Sequence, residues 1–363
     1  MLTIDGSYGE AGGQIVRTAL AFSSLTGIPF EMTNIRKGRK QPGLKAQHLH
    51  CIKGLEKLCS AKAGYASLGS EKLRFIPGKI EGKTISIDIG TAGSVSLLLQ
   101  ALLLPSFFAG SKVRLRISGG TTGKWAMPFD FFNEVFVPHI RKFVEKIEVT
   151  LKRRGYYPAG GGKIDIKITP KYKLSDFENF AELRKHIFEN EKDIKIIEQG
   201  KLLQIKGISH ASINLEQAQV AERQAKSART LLAQFNAPVQ IKSEYSNTLS
   251  AGSGITLWAK FAIGDEMDFI NPIILGADGL GEKGKRAEDV GKEAAEQLTK
   301  EIKSYAAVDF HTADNLIPFL VFGGKIKTSE ITNHTKTNAW ICEQFLGKMF
   351  KIDEKENIIE VKK

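Results

Sequence analysis

Gly6-Ser7-Tyr8-Gly9-Glu10-Ala11-Gly12-Gly13-Gln14 is a glycine-rich turn carrying one acid, and it runs straight into the apolar stretch Ile15-Val16-Arg17-Thr18-Ala19-Leu20-Ala21-Phe22. Glycines let backbone N–H groups approach an anion, and a helix N-terminus adds unpaired donors and the positive end of the macrodipole. A basic loop follows, Arg36-Lys37-Gly38-Arg39-Lys40-Gln41-Pro42-Gly43. Glu10 is discordant in such a setting, because a carboxylate beside phosphates repels them unless a divalent cation lies between. Two readings stay open on these residues. One is a metal–nucleotide site, with Glu10 on Mg²⁺ and Arg17, Arg36, Arg39 and Lys40 facing phosphate. The other is an N-terminal strand, a turn and a core helix beside a solvated basic loop.

The pattern recurs down the chain. Ala92-Gly93-Ser94-Val95 opens a second apolar helix that ends at Gly110, as the first ends at Gly27. Strands of period-two alternation flank it, 84–89 before and 112–117 after. A third Gly-rich entry, Tyr157-Pro158-Ala159-Gly160-Gly161-Gly162, leads into the alternating strand 163–168, and a late helix spans 289–305. Units repeated about every eighty residues suggest α+β modules around a common core. After Pro170 the character changes to Lys/Glu-rich helices (177–192 and 215–235) with intervening strands, the mark of an inserted α/β domain.

A chain of 363 residues, 42% hydrophobic and 25% charged, can bury a substantial core in two or three domains. Its formal charge of +12 favours anionic partners, nucleic acid first among them. Cys51, Cys59 and Cys342 form neither a disulfide framework nor a CxxC pair, which fits a reducing interior. The longest apolar run, 95–109, is short for a bilayer and is interrupted by Ser96, Gln100, Pro105 and Ser106. Asp5 and Glu10 fall where a leader would run. The expectation is a cytoplasmic protein with no membrane contact.

Three familiar motifs fail on inspection. Gly279-Leu280-Gly281-Glu282-Lys283-Gly284 matches GxGxxG, yet no βαβ series surrounds it. The same stretch nearly spells a P-loop, but Arg286 stands where a Ser or Thr should meet Mg²⁺. Gly276-Ala277-Asp278-Gly279 resembles the KxDG motif of adenylating ligases with glycine in place of the nucleophilic lysine. His48, His50 and Cys51 fan too widely on a helix to close a tetrahedral metal site and read as structural. His311 and His334 stand apart. His334 lies among small polar residues in Asn333-His334-Thr335-Lys336-Thr337-Asn338, a context for an exposed imidazole able to attack activated phosphorus.

Taken together, Gly9-Glu10-Ala11-Gly12-Gly13-Gln14-Ile15-Val16-Arg17, Ile35-Arg36-Lys37-Gly38-Arg39 with Pro42-Gly43-Leu44 and Gln47-His48-Leu49, Tyr157 to Gly162, and His334 with Thr337-Asn338 resemble the RNA 3′-terminal phosphate cyclase family across nearly the whole chain. The resemblance implies an α+β fold: a large domain of three repeated βαβαββ-like modules, each a four-stranded sheet with two helices, plus one smaller inserted α/β domain. The expected division is 1–180 with 280–345 for the large domain, 181–279 for the insertion, and 346–363 as a solvated C-terminal segment.

The activity implied is ATP-dependent conversion of an RNA 3′-phosphate into a 2′,3′-cyclic phosphodiester, releasing AMP and pyrophosphate, with Mg²⁺ or Mn²⁺. By the resemblance, His334 is the nucleophile that takes AMP, and Glu10 the metal-coordinating acid. Arg17, Arg36 and Arg39 contact phosphates or frame the active site, as does Gln47. Pro128, His311, Asp314 and Asn315 lie where base and sugar are held. This chain departs from the family in having His311 for the usual tyrosine and Asn315 for the common glutamine. Two alternatives are a non-catalytic cyclase-like RNA-binding protein acting in ribosome assembly, which would lack the histidine nucleophile, and an enolpyruvyl-type transferase, which needs no such histidine.

Overall fold

The computed structural model describes residues 1–264 and 266–361. The first module runs β1 (Leu2–Asp5), α1 (Gly13–Thr26), β2 (Phe30–Thr33), α2 (Ala46–Cys59), β3 (Lys62–Gly64) and β4 (Leu73–Ile76). Gly12 caps α1 in extended geometry, and Gly27, at φ 73°, ends it by donating its N–H to the Ser23 carbonyl. β1 and β2 pair in parallel, so α1 must serve as their crossover, and β4 joins antiparallel to give the order β1-β2-β4-β3.

The second module repeats this plan with β5 (Thr84–Asp88), α3 (Val95–Phe107), β6 (Val113–Gly119), β7 (Val144–Arg153) and β8 (Gly162–Pro170), in the order β5-β6-β8-β7. Its second helix is broken: α4 (Phe129–Phe131) and α5 (Val137–Ile140) are joined by a π-helical turn at Phe132–Phe136. α6 (Phe180–Asn190) leads to β9 (Ile194–Ile196), the first strand of the third module.

Before that module continues, the chain makes β10 (Lys201–Ser212), α7 (Val220–Leu232), β11 (Val239–Ser246), β12 (Ser253–Ala262), β13 (Ile273–Leu280) and α8 (Ala287–Lys303). Their sheet has the order β11-β10-β12-β13, with β10 inside, so it is no fourth copy. The third module then resumes with α9 (Phe310–Leu320), β14 (Gly324–Lys327), α10 (Asn333–Leu346), β15 (Phe350–Asp353) and β16 (Ile358–Val361), ordered β9-β14-β16-β15. Three modules of identical topology are present, as the resemblance implied, but two of the sequence repeats fall elsewhere: the Gly-rich stretch 157–162 joins β7 to β8 inside the second module, and the late helix expected at 289–305 is α8, which packs on the inserted sheet.

Strand pairing draws the seams elsewhere than expected. β9 lies within the stretch 181–279 yet pairs with β14, while α8, within 280–345, packs on β12, β13 and α7. Within the expected C-terminal segment the described residues 346–361 are not a solvated tail: β15 and β16 complete the third sheet. Their short strands bury Ile359 and Val361 on one face, and the interspersed lysines and glutamates had disguised that alternation.

The modules meet through their helices. α1 packs on α3 and α10, and α2 on α3, so α3 is apolar all round. Phe22–Phe345, Phe107–Phe319 and Phe108–Phe322 ring contacts, at 6.3, 5.8 and 5.2 Å between centroids, bind the modules into one core. Cys51, Cys59 and Cys342 are buried free thiols in it. Among the described residues no helix is long and apolar enough to cross a membrane. The Gly279–Gly284 stretch ends β13, which is antiparallel to β12; a Cβ on Gly279 would sit 2.6 Å from the Val290 carbonyl, so this glycine serves close helix packing.

Candidate active site

Two helix N-termini converge where the Gly-rich turn meets α10. Gly9, at φ 58°, has no room for a Cβ, which would stand 2.4 Å from Thr337 Oγ1. The next residue's N–H, that of Glu10, donates to the same hydroxyl at 3.4 Å. Thr332 caps α10 by accepting the Thr335 N–H at 3.0 Å, which leaves His334 in the first turn, one turn before Thr337. The Glu10 carboxylate and the His334 ring are thereby set side by side, with Nε2 2.9 Å from Oε2.

The other ring nitrogen, Nδ1, hydrogen-bonds Gln14 Oε1 in the first turn of α1. Because an amide oxygen can only accept, Nδ1 carries the proton and the ring orientation is fixed. Nε2 is left facing Glu10 across a gap that a second ring proton or a cation must fill. Despite the short separation, Oε2 is buried and accepts no hydrogen bond. Glu10 Oε1 is held by Arg39 NH2 at 3.1 Å, and the same nitrogen reaches the Glu10 carbonyl at 3.2 Å.

Arg17 sits one turn further along α1 and is 7% exposed. Its Nε donates to Gln100 Oε1 at 2.6 Å; Gln100 Nε2 donates to Asn315 Oδ1 at 2.7 Å; Asn315 Nδ2 donates to the His311 carbonyl at 2.7 Å. That amide chain aims the guanidinium without neutralising it. Among the described residues no carboxylate forms an ion pair with Arg17, and burial pushes its pKa down to about 10. A buried cation with no counter-charge is left electrostatically unsatisfied.

Asp314 orients α10: its Oδ1 accepts from Thr332 Oγ1 at 2.6 Å and from Thr335 Oγ1, and its carbonyl accepts from Asn338 Nδ2 at 2.9 Å. Burial raises this carboxyl above its usual range despite those donors. His311 faces the cleft beside Phe310, ring centroids 3.9 Å apart. Desolvation by the surrounding walls, and secondarily the neighbouring His334, pushes it down to about 4, so it is a neutral ring at pH 7.

A cleft of about 580 Å³ joins these groups. Arg17 and Gln14 come from the first module, Met127 and Trp125 from the second, Asp278 from the insertion, and His311, Asp314 and His334 from the third. Of the sequence-derived residues, Arg17, His311, Asp314, Asn315 and His334 line it, and Glu10 and Arg39 adjoin it through the Glu10–His334 and Arg39–Glu10 contacts. Three others stand aside. Arg36 spends its NH1 on the Gln41 and Gly43 carbonyls at 2.9 and 3.1 Å, closing the basic loop. Gln47, on α2, has a buried Nε2 without a partner, and Pro128 caps α4 next to the cleft residue Met127. His48 is structural: its Nδ1 accepts the Lys45 N–H at 2.9 Å, and its Nε2 lies where a Cβ on Gly13 would be, at 2.2 Å.

Gln14 and Thr337 stood in the quoted motifs without an assigned role, and Gln100 was missed. Gln14 carried a signal, being one helical turn before Arg17 on the same face; Gln100 carried none, since a glutamine inside an apolar helix resembles a tolerated polar residue.

Among the described residues no group of three or more His, Cys, Asp and Glu could cage a metal ion. The unbonded Glu10 Oε2 nonetheless suits Mg²⁺, which is commonly held by one or two carboxylates together with substrate phosphates.

The profile of the RNA 3′-terminal phosphate cyclase family matches residues 8–352. The protein called RNA 3′-terminal phosphate cyclase in Pyrococcus furiosus is 45% identical over 353 residues, spanning 97% of this chain and 95% of its own. Those of the same name in Thermococcus kodakarensis and Methanosarcina mazei are 44% and 42% identical, covering 96% and 99% of this chain and 94% and 99% of theirs. With a motif-bearing cleft at the junction of three like modules, this chain belongs to the RNA 3′-terminal phosphate cyclase family.

Proposed function

We propose that this protein uses ATP to convert RNA 3′-terminal phosphates into 2′,3′-cyclic phosphodiesters by way of a covalent His334–AMP. The observation carrying this reading is an accessible imidazole, its side chain 47% exposed, oriented by Gln14 and set in one cleft with the uncompensated Arg17. With the proton on Nδ1, the lone pair on Nε2 attacks the α-phosphorus; an N–P bond forms, and the P–O bond breaks with its electron pair leaving on pyrophosphate. Arg17, itself buried and lining the cleft, meets the phosphate charge as a fixed, pre-oriented cation. Arg39 holds Glu10 Oε1 and turns Oε2 toward the phosphates. A divalent cation on that oxygen, Mg²⁺ or Mn²⁺, would neutralise triphosphate charge and keep the carboxylate from facing the Nε2 lone pair.

An oxygen of the RNA 3′-phosphate next attacks the adenylyl phosphorus, and the N–P electron pair returns to Nε2. The adjacent 2′-hydroxyl then attacks the activated 3′-phosphorus, losing its proton as AMP departs, with the advantage of an intramolecular reaction. His311 is assigned to the base, and Asp314 and Asn315 to the sugar, while Pro128, beside the cleft residue Met127, would border the base only from outside the cleft lining. Buried free thiols fit a reducing cytoplasm.

The test is incubation with ATP labelled at the α-phosphate and Mg²⁺. The wild type should carry an acid-labile, alkali-stable label absent from His334→Ala, and should render a 3′-phosphorylated oligonucleotide resistant to phosphatase. A folded wild type that takes no label would sink the reading and point to an RNA-binding relative.

A further inference from the structure

Three tryptophans occupy very different places. Trp258 is 4% exposed in the inserted sheet, and Trp340 stacks on Tyr8 with centroids 3.9 Å apart. Trp125 is 94% exposed, yet it lines the same cleft as Arg17 and His334. Its backbone is left-handed, at φ 59°, a conformation unfavourable to a bulky side chain and retained where surroundings impose it. The loop around it is pinned. The Thr121 N–H donates to the Gly155 carbonyl at 2.9 Å, the Phe129 N–H to the Thr121 carbonyl at 2.8 Å, and the neighbouring Lys124 pairs with Glu282 of the insertion at 2.9 Å. A large apolar ring is thus held out in water at the mouth of the cleft that holds Arg17 and His334, with no protein partner to cover its face.

Resting on the function proposed above, we infer that Trp125 is the stacking platform for the 3′-terminal nucleobase of the RNA. The terminal phosphate must enter the cleft to reach AMP on His334, which leaves its own base near the mouth. An indole face stacks on any base, so it would hold RNA ends without reading their sequence. The platform and the nucleophile belong to different modules, and the Lys124–Glu282 pair ties the platform's loop to the insertion.

The experiment measures KM and kcat for a 5′-labelled ten-nucleotide RNA ending in a 3′-phosphate. Trp125→Ala should raise the KM for this RNA about five- to a hundred-fold, the range of one lost base stack, while His334–AMP formation from ATP alone keeps its rate. Trp125→Phe should recover most of the loss. An oligonucleotide whose terminal nucleotide lacks its base should bind the wild type as weakly as the variant does, and the two changes together should cost no more than either. An RNA KM within two-fold of wild type, or a defect in the ATP half-reaction instead, overturns the assignment. If the wild type forms no adduct, the functional reading fails separately. The inference is then decided by quenching of Trp125 fluorescence on adding the same RNA, with Trp125→Phe as the blank: quenching upholds the platform, and none overturns it.

Discussion

Arg17→Met is expected to stabilise the free protein while disabling it. The guanidinium is buried, bonded through Nε to Gln100 and paired with no carboxylate among the described residues. A fall in pKa from about 12.5 to about 10 corresponds to roughly 3 kcal/mol of lost preference for the charged form. Methionine keeps much of the apolar stem and gives up one hydrogen bond, about 1 kcal/mol, so the free variant should gain about 2 kcal/mol. With an unfolding entropy near 2 cal/mol/K per residue over 363 residues, the midpoint should rise by about 3 °C. The sign with pH is definite. A base whose folded pKa lies below its unfolded value carries its full penalty below the folded value and sheds it only above about pH 10. The gain should therefore be the same at pH 6 and pH 8. Ligand, not pH, relieves the wild type: ATP with Mg²⁺ at a hundred times Kd should add about 2.7 kcal/mol. The variant should show little of that increment and no label from α-labelled ATP. Thermal scans with and without nucleotide read both effects. A free variant less stable than wild type, or one with an undiminished ATP-induced shift, refutes the claim that this charge is buried in wait for phosphate.

Two further substitutions probe the supports of the site. Gln14→Leu removes the acceptor on His334 Nδ1 and frees the ring to turn; adduct formation should slow about ten- to a hundred-fold with the ATP-induced thermal shift intact, and an unchanged single-turnover rate would dismiss the orienting role. Arg154→Met leaves Asp130 and Glu244 without their shared cation, and denaturant titration should show a loss of about 3 kcal/mol, less than two-fold change in adduct formation being expected wherever the fold survives; a loss under 1 kcal/mol would show the network to be dispensable.

The three modules were legible because their signals are local. Gly12 and Gly27 bracket α1, alternation marks β5 and β6, and the Gly-rich turn precedes its helix as it must. The insertion's edges were not, because a seam is defined by pairing: β9 and β14 are neighbours in a sheet but more than a hundred residues apart, and nothing within Ile194-Lys195-Ile196 names its partner. The site divides the same way. Glu10, Arg17 and His334 carry chemistry in their residue types. Gln100 earns its place only because α3 crosses α1 at Arg17 and α9 at Asn315, a meeting that long-range packing decides.

The two buried arginines make that limit physical. Arg17 and Arg154 are 7% and 2% exposed, and no feature of either local sequence separates them. Arg154 meets Asp130 through two bonds of 2.7 and 3.0 Å and Glu244 through two of 3.0 and 2.6 Å, so it joins the second module to the inserted sheet. Burial disfavours its charge, and the two carboxylates outweigh that and hold it above the usual arginine range. Arg17 has burial without carboxylates, and its pKa moves the other way. The same side chain therefore stabilises the free fold in one place and destabilises it in the other. Opposite signs for Arg154→Met and Arg17→Met follow from the company each keeps. The destabilised arginine is the one that opens on the cleft with His334, where a phosphate can supply the missing charge.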